Sequence, residues 1–315
     1  MARYLVTGGC GFIGSHLCDQ LVSEGHEVLI LDDLSSGFRE NPPHQAKFTE
    51  GTICDEAVVE SLFAKGLDGC FHLAAIASVA KSETHWVETH YVNAHGTAVI
   101  FAAAAKHKVP VVYASSAAIY GDNPNLPLKE TEPHKPLSAY AADKISNEHN
   151  ARVAHFIHNI PTMGLRFFNV YGPRQDPKSP YSGVISIFID KLLSDKSPEI
   201  HGDGQQSRDF VFVKDVVACL DLSMKHIQMH PETSNVLNVC TGRSNTIATL
   251  YDTLCALIGN NLPKVFGPIR AGDIKESLGS AEKLEKVLRY LPKTELKDGL
   301  RPTIDHIKQS EKKAC

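Results

Sequence analysis

Short apolar runs without polar alternation recur through the first half of the chain: RYLVTG, EVLILDD, CFHLAA and VPVVYASS. Strands covered on both faces read this way, because neither face has to meet water. Between them lie FIGSHLCDQLVSEG, EAVVESLFAKG and VETHYVNAHGTAVIFAAAAKHK, whose apolar residues recur at helical spacing. Repeated strand–helix–strand units predict an α/β fold, a Rossmann-type doubly wound parallel sheet. IPTMGLRFFNVYG predicts one more strand, after a helix over residues 138–158.

Beyond Asn169 the pattern changes. GPRQDPKSPYSG reads as loop, VISIFIDKLLSD as helix, DFVFVKDVV as a strand leading into a helix, and SNVLNVCTG as another strand. The remainder, from Asn245, reads as helices and loops. A smaller C-terminal substrate domain interleaved with the first is expected. Its segments are 169–208 plus 245–315, against 1–168 plus 209–244 for the sheet domain.

Composition narrows the function classes. At 315 residues, with 43% hydrophobic and 22% charged positions, the chain has ordinary globular proportions. A net charge of −4 offers no electrostatic case for nucleic acid or a membrane surface. MARYLV runs straight into a glycine loop without a signal-peptide pattern, and no apolar run approaches the ~18 residues of a membrane span. Eight cysteines (Cys10, Cys18, Cys54, Cys70, Cys219, Cys240, Cys255 and Cys315) are scattered with no C-x-x-C. Free thiols, no metal site and a cytoplasmic location are the expectation.

Two stretches carry candidate chemistry. TGGCGFIGSH places Gly8, Gly11 and Gly14 between a strand and a helix. Gly8 permits the tight turn, Gly11 lets backbone approach a pyrophosphate, and Gly14 lets helix pack on strand. The helix N-terminus then offers unpaired N–H groups to phosphate. Asp32 closes the next strand, where a carboxylate holds ribose hydroxyls and repels a 2′-phosphate, which favours NAD over NADP. SAYAADK sets Tyr140 and Lys144 one helical turn apart behind a potential Ser138 N-cap. An ammonium beside a phenol favours phenolate, so Tyr140 is expected to titrate below its usual ~10 and serve as general base. With 9 Tyr and 32 Lys+Arg, composition alone yields about one such pair, so the pair needs its surroundings.

Taken together, TGGCGFIGSH, HLAA, YVNAHGT, SSAAIYG, SAYAADK and RFFNVYGPRQ resemble, in order and over nearly the whole chain, the extended short-chain dehydrogenase/reductase proteins that modify nucleotide sugars. Within this NAD-dependent epimerase/dehydratase family the likeness is closest to UDP-hexose 4-epimerases, especially those accepting UDP-N-acetylglucosamine. The resemblance implies that Ser116, Tyr140 and Lys144 are catalytic. Tyr140 takes the 4-hydroxyl proton while NAD takes hydride, and a transient 4-keto sugar receives the hydride back from NADH on its other face. It implies cofactor contacts from Gly8, Gly11, Phe12, Ile13, Gly14, Asp32, Asp33, Thr52, Ile53, Leu73, Ala74, Ala75, Asn93 and Phe168, besides Tyr140 and Lys144. It implies substrate contacts from Ser78, Ser116, Asn169, Val184, His201, Arg208, Arg270, Asp273 and Ser277. The sheet domain would then bind NAD and the smaller domain the nucleotide sugar.

Departures from the family pattern sharpen the expectation. Ala117 and Ala118 stand where dehydrating and decarboxylating members carry acids, which favours epimerisation. Thr52 replaces an Asp that contacts adenine, and Ala77 replaces a lysine common in UDP-glucose epimerases. Ser277 stands where a bulky tyrosine excludes an N-acetyl group, so UDP-GlcNAc and UDP-GalNAc are expected substrates beside UDP-Glc and UDP-Gal. A homodimer through the helices at 88–107 and 138–158 is expected. The alternatives are a dehydratase or reductase of the same family, or a non-catalytic NAD sensor.

Overall fold

The computed structural model describes residues 1–177, 183–269 and 274–314, the last four by backbone alone. β1 (Arg3–Thr7) leads through α1 (Phe12–Ser23) to β2 (Glu27–Asp32) and β3 (Lys47–Glu50). Next come α2 (Glu56–Phe63), β4 (Gly69–His72), the short α3 (Val79–Thr84) and α4 (Trp86–His90), and α5 (Gly96–His107). A π-helical turn, Tyr91–His95, joins the last two. β5 (Val111–Ser116) runs into a 3-10 turn (Ala117–Tyr120), then α6 (Ala139–His158), β6 (Thr162–Phe167) and β7 (Asn169–Tyr171). The remainder is α7 (Val184–Leu193), β8 (Glu199–His201), β9 (Ser207–Arg208), β10 (Phe210–Phe212), α8 (Val213–Met229), β11 (Ser234–Val239) and β12 (Asn245–Thr246). It closes with α9 (Ile247–Ile258), β13 (Val265–Gly267), α10 (Glu282–Leu288) and α11 (Leu296–Ala314).

Among the described residues, seven strands form one sheet in the order β11-β6-β5-β4-β1-β2-β3. Every pairing in it is parallel. Strand order reverses between β1 and β4, so a crevice opens there at the carboxyl ends of the strands. Alternation along each strand supplies two cores. Tyr4 and Val6 pack with Leu17, Leu21, Val217 and Leu220 on the α1 and α8 face. Leu5 joins Val59, Phe63, Ile100 and Ala151 on the α2, α5 and α6 face. A third cluster joins Tyr171, Phe210 and Phe212 to Ile189, Leu254 and Ile304 of α7, α9 and α11.

The apolar runs became strands as their pattern predicts, with three differences. β3 carries no apolar run, because all four residues of KFTE are exposed or half-buried on a sheet edge. IPTMGLRFFNVYG is two strands. The Phe168 amide donates to Val239 (3.1 Å) and the Asn169 amide to Asp209 (3.1 Å), so the chain passes from β11 to β10 as partner. The region beyond Asn245 also holds β12 and β13, which are two and three residues long and too short to show a period.

Candidate functional site

The glycine loop is built by close approach. Gly8 has φ +71°, and a Cβ there would stand 2.8 Å from the Ala74 nitrogen. A Cβ on Gly14 would stand 2.1 Å from the Gly8 carbonyl oxygen, so only glycine lets α1 sit on the turn. Gly11 differs: its nearest neighbour would be the Gly8 oxygen at 3.3 Å, which leaves the space over the loop open. Gly11 is also the N-cap of α1, with no side chain capping it and no acid in the first turn. The amides of Phe12 and Ile13 therefore start a helix whose positive end is uncompensated, which is a fit for a pyrophosphate.

The other residues assigned to the dinucleotide gather along the same strand ends. Asp32, buried at the end of β2, accepts from the Cys10 amide (2.9 Å) and the Leu34 amide (2.9 Å). Burial raises its pKa, and these two amides hold it back. Asp33 is exposed and turned onto Ser35, accepting from its amide (3.0 Å) and hydroxyl (2.6 Å). The Thr52 hydroxyl accepts from the Cys54 amide (3.2 Å) and keeps its proton to donate. Ile53 is buried, and a Cβ on Gly96 would meet it at 2.7 Å. The amides of Leu73 and Ala74 both donate to the Thr7 hydroxyl at 3.2 Å. Asn93, in the π turn, accepts from the Ile76 amide (2.8 Å) and donates to its carbonyl (3.1 Å), which pins the chain just after Ala75. Phe168 is buried where β6 hands over to β7. These groups fit NAD.

Ser116, Tyr140 and Lys144 meet beside this loop cluster. Ser138 caps α6 by accepting from the Ala141 amide (3.2 Å), and the Tyr140 amide donates to Ser82 Oγ (3.2 Å). Ser116 Oγ accepts from the Ala118 amide (3.1 Å), so its own proton is left to face the Tyr140 phenol, which it stabilises electrostatically. Lys144 Nζ lies 5.6 Å from the centroid of the Tyr140 ring and donates to the Ala114 carbonyl (2.9 Å).

The expected acidity of Tyr140 is reversed. Burial pushes its phenol above the usual 10, and the Ser116 hydroxyl offsets this only in part. Desolvation acts on Lys144 too, lowering it to about 8 against the opposing pull of Asp143. The low-dielectric surroundings disfavour both charges, so spacing alone misjudged the phenol.

Among the described residues, those assigned to the sugar nucleotide besides Ser116 lie on β7, β8, β9 and α7, between β13 and α10, and at the start of α3. Arg208 ends β9, half-buried, and its guanidinium donates to the Ser207 carbonyl (2.8 Å). The Ser277 amide donates to that same carbonyl (3.1 Å), which sets Ser277 beside Arg208 across about 70 residues of chain. Asn169 is exposed at the start of β7, and Val184 opens α7 behind an uncapped Gly183. His201 is exposed, with Nδ1 3.5 Å from Glu199. It lines a groove of about 690 Å³ with Gly202, Asp203, Gln206, Phe266 and Ile274. Ser78 acts as the N-cap of α3, accepting from the Lys81 amide (2.9 Å). Arg270 and Asp273 lie outside the described residues.

Sequence reasoning passed over three buried polar groups. Asp209 accepts from the Thr241 amide (2.8 Å), the Thr241 hydroxyl (2.7 Å) and the Gly242 amide (2.9 Å), anchoring the strand of Arg208. His72 contacts Thr7 Oγ1 (2.8 Å) and Thr97 Oγ1 (2.9 Å) through its two ring nitrogens, and burial lowers its pKa to about 3. Arg166 and Glu148 form a buried ion pair at 2.8 Å under the end of β5. The one signal was a charge inside the apolar run MGLRFF, since a buried arginine requires a partner.

Known structures share this fold along nearly the whole chain. The crystal structure of UDP-glucose 4-epimerase from Thermotoga maritima with UDP-glucose superposes at a TM-score of 0.93, with 36% identity, covering 98% of this chain and 99% of that one. The UDP-N-acetylglucosamine 4-epimerase from Methanobrevibacter ruminantium, in complex with UDP-N-acetylmuramic acid, gives the same TM-score, identity and coverage. Thermus thermophilus UDP-glucose 4-epimerase with NAD matches at 0.89 and 34% identity, over 97% and 99% of the two chains. A model of the NAD dependent epimerase/dehydratase family matches residues 4–240, from β1 through the end of β11. With its glycine loop, its Tyr140–Lys144 turn and its sheet order all inside that match, the chain belongs to the NAD-dependent epimerase/dehydratase family, and its cofactor is NAD.

Proposed function

We propose that the protein is a UDP-hexose 4-epimerase, an isomerase that inverts C4 through a transient 4-keto sugar. The observation that carries this is Lys144 one helical turn from Tyr140, its Nζ 5.6 Å from the phenol ring and donating to the Ala114 carbonyl at the end of β5, with Ser116 two residues further on, at the carboxyl edge where the glycine loop opens. Bound NAD supplies a reversible hydride acceptor. Gly8, Gly11 and Gly14 cradle its pyrophosphate, Asp32 takes the adenosine ribose, and Lys144 the nicotinamide ribose. Ser116 would bridge the sugar 4-hydroxyl to Tyr140, whose phenolate takes that proton and returns it after the keto sugar has turned; the cationic nicotinamide of bound NAD would favour that phenolate where burial alone opposes it. Ala117 and Ala118 follow Ser116 in the 3-10 turn and carry no proton to transfer, so elimination has no acid there.

Residues 1–168 plus 209–244 hold NAD in this reading, and 169–208 plus 245–315 hold the nucleotide sugar. Arg208 with Arg270 neutralises the diphosphate, Asp273 takes the uridine ribose, and the small Ser277 admits an N-acetyl group. UDP-GlcNAc and UDP-GalNAc then turn over beside UDP-Glc and UDP-Gal. A cytoplasmic location is part of this reading; no helix among the described residues is long and apolar enough to cross a membrane, and the seven described cysteines are free thiols.

A second copy completes the assembly. Val153, Phe156 and Ile157 make an exposed apolar stripe on α6, and Trp86, Val87 and Tyr91 make another on the α4 segment packed against it. With Val87 85% and Ile157 68% exposed, this surface calls for a cover. Ile157→Asp is expected to shift the protein to monomer in sedimentation, whereas an unchanged sedimentation coefficient rejects the dimer face.

Incubation with UDP-Glc and UDP-GlcNAc separately, followed by NMR of the product sugars, tests the activity. Both are expected to reach an epimer mixture with no net NADH. Tyr140→Phe should abolish turnover and leave NAD bound. A stable keto product, or full turnover by Tyr140→Phe, refutes the assignment.

A further inference from the structure

Three consecutive residues at the end of β5 are each tied to a different turn of α6. The Ala114 carbonyl accepts from Lys144 Nζ (2.9 Å), Ser115 Oγ donates to Glu148 Oε1 (2.5 Å), and the Ser116 hydroxyl faces Tyr140. Tyr140, Lys144 and Glu148 follow one another at four-residue steps and so share a face of the helix. Ser115 points with Val111 and Tyr113 toward α6 by strand alternation, away from the face of Ser116.

Glu148 is itself locked. Its Oε1 accepts from Arg166 Nε (2.9 Å) and its Oε2 from Arg166 Nη2 (2.8 Å), a forked pair that is 9% and 3% exposed. Arg166 pairs in register with Ser115 across β5 and β6. Its Nη1 donates to the Tyr120 hydroxyl (2.7 Å), which donates to Asn238 Oδ1 (2.6 Å), and its Nη2 donates to His134 Nε2 (2.9 Å). One ion pair thus reaches α6, β5, β6 and the turn that follows Ser116. A buried ion pair stabilises little beyond what an apolar pair in its place would, so its use has to lie elsewhere.

We propose that Ser115 and Glu148 are positioning residues for the reaction: Glu148, clamped by Arg166, holds the Ser115 hydroxyl and thereby sets the end of β5 against α6 so that Ser116 stays on Tyr140. This rests on the reading that Ser116 and Tyr140 carry the chemistry. Both side chains are buried, Ser115 at 2% and Glu148 at 9% exposure, so they would act through Ser116 and α6.

The test uses the full chain with NAD and UDP-Glc. Ser115→Ala is expected to lower kcat about tenfold, with KM, NAD retention and the folded far-UV spectrum unchanged. Ser115→Thr keeps the hydroxyl and is expected to restore kcat, and Glu148→Gln to behave like Ser115→Ala. A Ser115→Ala enzyme with wild-type kcat and only a lower Tm overturns the proposal, as does a Ser115→Thr enzyme no better than Ser115→Ala. If Glu148→Gln does not fold, the two Ser115 variants decide. Tyr140→Phe in the same assay separates the two claims: should it turn over normally, the assignment of Tyr140 fails; should it be dead while Ser115→Ala is unaffected, positioning alone fails.

Discussion

Lys144 Nζ donates to the carbonyl oxygen of Ala114 at 2.9 Å, inside a site that lowers the lysine's pKa to about 8. The same burial that makes this ammonium costly keeps its one carbonyl partner dry. In the unfolded chain the lysine titrates near 10.5, so between about pH 8 and 10.5 the unfolded state holds a proton the folded state has released. Stability should therefore rise with pH across that window, by on the order of 3 kcal/mol from this residue. Lys144→Met should lose that rise and most of the activity together. Urea unfolding from pH 7 to 10.5 on both proteins measures the difference; equal slopes would show that Lys144 is not held at a lowered pKa.

Gly11 and Gly14 make different demands. Alanine at 14 would force its Cβ to within 2.1 Å of the Gly8 oxygen, so Gly14→Ala should cost about 3 kcal/mol or more through displaced backbone. Alanine at 11 meets only the Gly8 oxygen at 3.3 Å, so Gly11→Ala should keep a near-native Tm while its methyl stands over the loop and weakens NAD. Thermal melts beside NAD titration calorimetry check the contrast. Wild-type NAD affinity in Gly11→Ala would mean that the pyrophosphate lies elsewhere.

His72 is held neutral between Thr7 and Thr97, its pKa lowered from 6.5 to about 3 by burial and by Lys144. As pH falls from 6.5 toward 3, the unfolded chain takes a proton that folded His72 refuses, so this residue removes stability across that window. His72→Gln should have lower stability at pH 7 but a shallower loss on acidification. Unfolding free energies at pH 7, 6 and 5 give the slopes; parallel curves would contradict a neutral folded His72.

Ser277 shares the Ser207 carbonyl with the strand of Arg208, and it is small and half-buried. Ser277→Tyr should lower kcat/KM for UDP-GlcNAc about 30-fold and leave UDP-Glc within about threefold, the discrimination a few missing atoms of pocket volume allow. Equal losses on both sugars would show that Ser277 does not read the N-acetyl group.

What the amino-acid sequence alone dictates is local. The strands of EVLILDD and VPVVYASS are legible because burial on both faces leaves an unbroken apolar run, and the glycine spacing is legible because a tight turn and a close helix each dictate a residue type. Tyr140 and Lys144 share a face because four residues are about one turn of any α-helix. Tertiary structure decided whatever depends on distant chain. KFTE became an edge strand only because β2 offered it a partner, and FFNVYG split because Asp209 captured Asn169. Glu148 found Arg166, and Ser277 found Ser207, through pairings that nothing local encodes. The acidity of Tyr140 belongs to the same class: a cation four residues away is visible in the sequence, but desolvation is a sum over everything packed around the phenol, and here it sets the direction of the shift.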